Sequence, residues 1–184
     1  MIESVVRSRF VVWALDYDLS RRRHFPAINW TRSFSLYDFS DWYTRELTTE
    51  WRKLTTGAMA LLQREVELLE IVQLVGSDAL AENERAELLA ARMLREDFLQ
   101  QSAYHPVDRF CTMNKAYRML RVVMDFYNHT VAALEFGVSL DKIARLPVIE
   151  NIVRMKELPA DTAEEELKVL LDRIRLSFAE LGGE

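Results

Sequence analysis

The residues of this chain that could do chemistry are few, and their spacing excludes more than it suggests. His24, His105 and His129 lie too far apart for an H-x-x-x-H pair, and no Glu-x-x-His occurs. Metals held in helical bundles draw on such short repeats, so metal chemistry has no support here. Cys111 is the only cysteine, which rules out an internal disulfide. A thiol with a nearby imidazole could serve as nucleophile and base, but a lone cysteine is far more often a small buried apolar group. There is no G-x-x-x-x-G-K-[ST], and with 5 glycines no other phosphate-cradling loop is visible, so these residues offer no P-loop for a triphosphate.

Three stretches remain. HFPAINW, from His24 to Trp30, sets Phe25 against a proline after the basic triplet Arg21 to Arg23; QSAYHPVDRF carries Tyr104 and Phe110; GSDALAENE, from Gly76 to Glu84, is short and acidic. Taken alone, Phe25, Tyr104 and Phe110 read as core or loop-packing aromatics. The acidic stretch reads as a solvated turn, and so does the arginine triplet.

These stretches must be positioned by a largely helical chain. Its 184 residues are 49% hydrophobic and 29% charged with only 4 prolines, a globular balance sufficient for one well-cored domain. The net charge of -5 argues against a nucleic-acid-binding face. Nothing at the N-terminus resembles a signal peptide and no apolar run is long enough to cross a bilayer, so the expectation is a soluble protein in a reducing, cytoplasmic setting.

The segment from Val5 to Asp16 is rich in β-branched and aromatic residues and predicts one strand, which would need a partner elsewhere. From about Ser40 the period turns helical. A helix near Asp41 to Glu46 precedes a long one from about Glu50 to Val75, with Thr48 or Thr49 as cap and Gly76 as a left-handed stop. Met59, Leu62, Val66 and Leu69 are expected to share its buried face, broadened by Leu61, Leu68 and Val72. The turn Gly76 to Glu84 and a helix to about Ser102 complete an antiparallel hairpin. Asn114 is the expected cap of a helix reaching Gly137, Ser139 opens a short one, and another ends before Pro159. The last helix starts at a predicted capping box of Thr162 and Glu165 and buries Leu167, Leu170, Leu171, Ile174, Phe178 and Leu181. The fold class expected is all-α, a bundle of about six helices with an N-terminal strand.

Several ordered stretches, WALD, RRRHFPAINW, LLQREVELLEIVQLVGSDAL, REDFLQQSAYHPVD, KAYRMLR and LPVIENIVRMK, resemble the C-terminal part of the catalytic polypeptide, the A subunits, of the archaeal and bacterial A-type (V-type) ATP synthase family. The resemblance spans nearly the whole chain in the family's order. It implies that residues 1–36 hold the last strand and connecting segment of an incomplete nucleotide-binding domain, and that residues 37–184 form the C-terminal helical domain. The strand would then be a remnant of a sheet supplied by the preceding polypeptide.

By the same resemblance FPAIN corresponds to the segment of the related F-type catalytic subunit whose aromatic lies against adenine, which makes Phe25 an adenine-stacking residue. Tyr104 and Phe110 share the six-residue spacing of two further pocket aromatics. ATP or ADP with Mg2+ would be the parent subunit's ligands, bound by this part only at the base, and no hydrolysis is expected from it alone. The tip Gly76, Ser77, Asp78, Ala79, Leu80, Ala81, Glu82, Asn83 and Glu84 resembles the acidic loop that faces the rotating shaft. It departs from the family at Ser77 and Ala81, where prolines are common, so the turn is expected to be less rigid. The implied partners are non-catalytic B subunits, other A subunits and the central stalk, in a cytoplasmic head peripheral to the membrane. Trp30, Phe34 and Phe25 are expected on a surface meant to be covered. A different class, a stand-alone helical interaction module binding stalk or assembly partners, is the alternative.

Overall fold

The computed structural model describes residues 11–182. The part of the predicted strand from Val5 to residue 10 lies outside them. Strand β1, Val11–Leu15, does not stand alone: it pairs antiparallel with β2, Ile28–Ser35, a strand that the alternation in the sequence did not predict. Between them Asp16 caps the short helix α1, Tyr17–Arg21, by accepting the Asp18 and Leu19 amides, and also accepts from the Asn29 amide group at 2.8 Å. The register is interrupted between Val12 and Ala14, where Ser33 Oγ accepts from the Ala14 N–H and itself donates to the Asn29 carbonyl. The ribbon is thus pinned by side chains at its irregular point.

The remainder is helical, as expected, with eight α-helices among the described residues in all. After α2, Ser40–Glu46, the 25-residue α3, Trp51–Val75, runs roughly 37 Å at the usual helical rise. No side chain caps α3 in the expected way: Thr48 Oγ1 accepts the Glu50 amide, one position before the helix proper, and Glu50 is the capping residue. The buried face of α3 is Ala58, Leu61, Leu62, Glu65 and Leu68, while Val66 and Leu69 are exposed. The expected face was offset because Glu65 occupies a core position, where a carboxylate is tolerated only with a partner.

Gly76 takes φ 89°, the left-handed geometry expected of the stop, and a single 3-10 turn, Ser77–Ala79, leads into α4, Glu82–Met93. Helix α4 does not end as a helix normally does. It passes into a π turn, Leu94–Leu99, whose last amide bond runs from Gln100 N–H to the Arg95 carbonyl at 3.0 Å.

Helix α5, Met113–Glu135, is capped by Thr112, whose hydroxyl accepts the Lys115 amide; Asn114 instead accepts from the Arg118 side chain. The short helices α6, Leu140–Ile143, and α7, Val148–Arg154, follow, the first opening at Ser139 and the second at Pro147. The last helix, α8, Ala163–Leu181, buries Leu167, Leu170, Leu171, Ile174 and Phe178 as predicted and leaves Leu181, at its end, half-buried, but Thr162 makes no side-chain cap, so the capping box is not formed. The core lies where α5 and α8 cross the hairpin, with Phe126 and Phe178 edge to face at 5.4 Å. Lys115 enters this interior with its amine donated to the Lys156 and Leu158 carbonyls at 2.6 and 2.7 Å, which is how a buried cation is made tolerable.

Candidate functional site: an aromatic wall and an acidic hairpin tip

The HFPAINW and QSAYHPVDRF stretches, far apart in sequence, meet in space. The Phe25 carbonyl accepts the Gln101 N–H at 2.6 Å, making an isolated antiparallel bridge. Beside it the Gln100 side chain donates to the Arg23 carbonyl, and His24 Nε2 donates to the Arg95 carbonyl at 3.0 Å. The loop beyond Gln101 is closed on itself by Asp108: its carboxylate accepts the Ser102 amide at 2.6 Å, and its carbonyl accepts from the Gln101 side chain. His105 Nδ1 accepts the Val107 and Asp108 amides, completing the turn.

His24 and Asp108, which anchor this scaffold, are buried, but the aromatics it carries are not. Phe25 is 45% exposed, Phe110 74% and Tyr104 99%. All three side chains are therefore open to solvent. Trp30, by contrast, is not part of the open surface: it packs on the core and lies 5.5 Å from the His24 ring. Phe34 is exposed, as expected. What the arrangement offers chemically is apolar, planar contact without an ionisable group poised to react, which suits recognition of a flat uncharged ring.

The second feature is the hairpin tip. Its acidic residues are not equivalent. Asp78 is exposed, its nearest bond being a 3.4 Å contact from its neighbour Ser77. Glu84 accepts from Arg64 on α3 at 3.2 Å and from the Ala81 N–H at 3.1 Å, so it both ties the hairpin and caps α4. Glu82 reaches the Leu140 N–H at the start of α6. Arg64 gathers Glu67, Glu84 and Glu87, and hydrogen bonds to Glu67 and Glu87 push its guanidinium further towards the charged form. Leu80 is buried, folding the tip back onto the hairpin, and Gly76, Ser77, Ala79, Ala81 and Asn83 are exposed around it.

Comparison with known proteins places the chain in a family. A family described as the C-terminal domain of V and A type ATP synthase matches residues 40–144, more than half of the chain. The chain belongs to that family. Its relatives in this comparison are the A subunits of A-type ATP synthases. It is 50% identical over 183 residues to that of Thermococcus sibiricus, covering 98% of this chain and 31% of the relative. It is 48% identical over 181 residues to that of Methanopyrus kandleri, and 50% identical to that of Pyrococcus abyssi, where it covers 18% of the relative. The chain therefore spans a third or less of the length of these curated relatives.

Within this V and A type C-terminal domain, other groups with reactive potential are accounted for structurally. Burial pushes the Cys111 thiol up, the opposite of what a nucleophile needs. Burial likewise pushes Asp97, in the π turn, up to about 6, with Lys156 and Arg92 pulling it down and Glu96 adding to the rise. A cavity of about 860 Å³ opens between the ends of α5 and α8 beside His129, Phe136 and Phe178, and shares no residue with the aromatic wall. Among the described residues no helix is long and apolar enough to cross a membrane. Residue types and spacing did not single out His24, Glu65, Arg95 and Lys156, which hold the wall on the bundle. A glutamate on the apolar face of α3 was the visible signal for one of them.

Proposed function

We propose that this chain is the C-terminal part of the catalytic subunit of a rotary ATP synthase, where it completes the adenine side of the nucleotide site and passes the site's opening and closing to the central stalk. The observation that carries the reading is the Phe25 to Gln101 backbone bridge, which joins the two aromatic segments in a chain of this family. In this reading Phe25, Tyr104 and Phe110 contact the base by stacking and shape. The phosphates and Mg2+ of ATP or ADP belong to a P-loop region that the 184 residues do not contain.

The hairpin is the lever. Helix α3 is long enough to carry a small rotation at its root to a large displacement at Asp78, and an exposed acidic turn suits a basic shaft. Residues 1–36 belong to the nucleotide-binding domain and residues 37–184 to the helical domain, which sits in a head peripheral to the membrane with B subunits and other A subunits as neighbours.

The test is steady-state kinetics of the assembled complex. Phe25→Ala and Tyr104→Ala are each expected to raise KM for ATP about fivefold to tenfold, the size of one aromatic stacking contact, with a smaller change in kcat. An unchanged KM in both variants would overturn the assignment of the wall to adenine.

A further inference from the structure

The π turn Leu94–Leu99 is held from three directions. In a π turn the chain takes one residue more than an α turn, and its carbonyls face outward where other groups can reach them. The Arg95 carbonyl accepts His24 Nε2 at 3.0 Å in addition to the Gln100 amide. The Glu96 and Gln100 carbonyls accept the Lys156 amine at 2.9 and 3.3 Å. The Arg95 side chain reaches Glu65 on α3 and Glu96 beside it. Two residues past the turn, Gln101 makes the bridge to Phe25. The N-terminal segment, the hairpin and the stretch after α7 are therefore all fastened to one turn of backbone.

His24 is suited to this task because it cannot easily move. It is 7% exposed, its ring lies against Trp30, and its other nitrogen faces the Pro26 carbonyl at 3.3 Å. Both His24 and Lys156 donate to carbonyls whose placement depends on the extra residue of the π turn. Without these donors the turn can revert by one residue to α geometry, which would rotate Arg95 away from Glu65 and move Gln101 relative to Phe25.

We propose that His24 is a positioning residue that locks the Phe25 wall to the π turn, and that the turn is the joint through which the wall and the α3–α4 hairpin move as one body. The role of the wall rests on the adenine reading above; the joint itself does not. The turn is contacted by the N-terminal segment, the hairpin and the stretch after α7 at once, so a displacement of any one of them is carried to the others through it.

Amide hydrogen exchange on the intact chain, resolved by mass spectrometry, tests this. His24→Phe keeps a ring against Trp30 and removes the donor. It is expected to speed exchange of the Gln100 and Gln101 amides about tenfold, the effect of one lost hydrogen bond in a buried network, while α8 is unchanged. His24→Gln, which restores an N–H donor, is expected to recover most of the protection. Glu65→Gln, on the hairpin, is expected to speed the same two amides. Unchanged exchange at Gln100 and Gln101 in His24→Phe, or acceleration spread equally through α8, would overturn the proposal. If His24→Phe does not fold, Glu65→Gln and Lys156→Met decide by the same two amides. Nucleotide affinity of Phe25→Ala in the assembled complex separates the two ideas: normal affinity with accelerated exchange in His24→Phe sinks the adenine reading and keeps the joint, and the reverse pattern sinks the joint alone.

Discussion

Arg95, in the π turn, closes an ion pair on Glu65 of α3, a carboxylate that is 6% exposed. A charge so placed is stable only while its partner remains. Arg95→Met is expected to cost about 3 kcal/mol in urea unfolding, because it strands the Glu65 carboxylate, whereas the double variant Glu65→Leu/Arg95→Met is expected to recover most of that loss. Additive losses in the double variant would show that the pair contributes through packing and not through compensated charge.

The hairpin tip should respond to charge reversal unevenly. Asp78→Lys is expected to leave unfolding within about 0.5 kcal/mol of the parent, as for an exposed site. Glu84→Lys is expected to lose about 1 kcal/mol or more, since the Ala81 amide at the start of α4 loses its acceptor. A stalk-binding experiment that reverses both at once would confuse a lost contact with a loosened hairpin, so Asp78 is the informative position. Equal destabilisation by the two substitutions would contradict this division of roles.

Asp97 gives the fold a pH dependence of predictable sign. Its carboxyl is raised from 3.8 to about 6 in the folded chain, so the native state holds a proton that the unfolded chain has already released. Its contribution is fully present below the ordinary carboxyl range and is lost as pH rises towards and through 6. Asp97→Asn is expected to flatten the stability profile between about pH 4 and 6 and to exceed the parent by about 2 kcal/mol at pH 7, the conversion being reduced because the group is partly solvated. Parallel pH profiles for the two proteins would refute it.

Gly57 sits inside α3, where an added Cβ would approach the terminal methyl of Met124 at 3.0 Å. The contact is tight, but it falls on the far end of a flexible side chain. Gly57→Ala is expected to raise stability by up to about 1 kcal/mol through the reduced entropy of the unfolded chain, measured as a higher Tm. A lower Tm would mean that Met124 has no room to yield.

What the sequence made legible was whatever repeats at helical spacing. The hairpin, the Gly76 stop and the buried face of α8 follow from apolar periodicity and from one glycine's backbone freedom. Strand β2 was hidden because INWTRSFS alternates only weakly, with an irregular register that Asn29 and Ser33 stabilise through side chains. The π turn was hidden because a single extra residue barely disturbs the apolar pattern around Leu94 and Leu99. Hydroxyl caps at Thr112 in place of Asn114, and none at Thr162, differ from expectation because several neighbouring residues could serve and backbone geometry selects among them. At the candidate site the aromatics were visible by type, but the bridge joining their segments is a backbone contact with no sequence signature.

The four tryptophans, Trp13, Trp30, Trp42 and Trp51, all precede the second turn of α3. The hairpin beyond that point, the π turn, and helices α4 to α8 contain none. Tryptophan fluorescence therefore reports the ribbon, α2, the start of α3 and the patch of core on which Trp30 and Trp51 pack, whereas far-ultraviolet dichroism is dominated by the helices. Trp30 lies against His24 at the joint, so coincident melting curves would mark a single cooperative unit, and an earlier fluorescence transition would give the temperature at which the N-terminal ribbon lets go of the bundle.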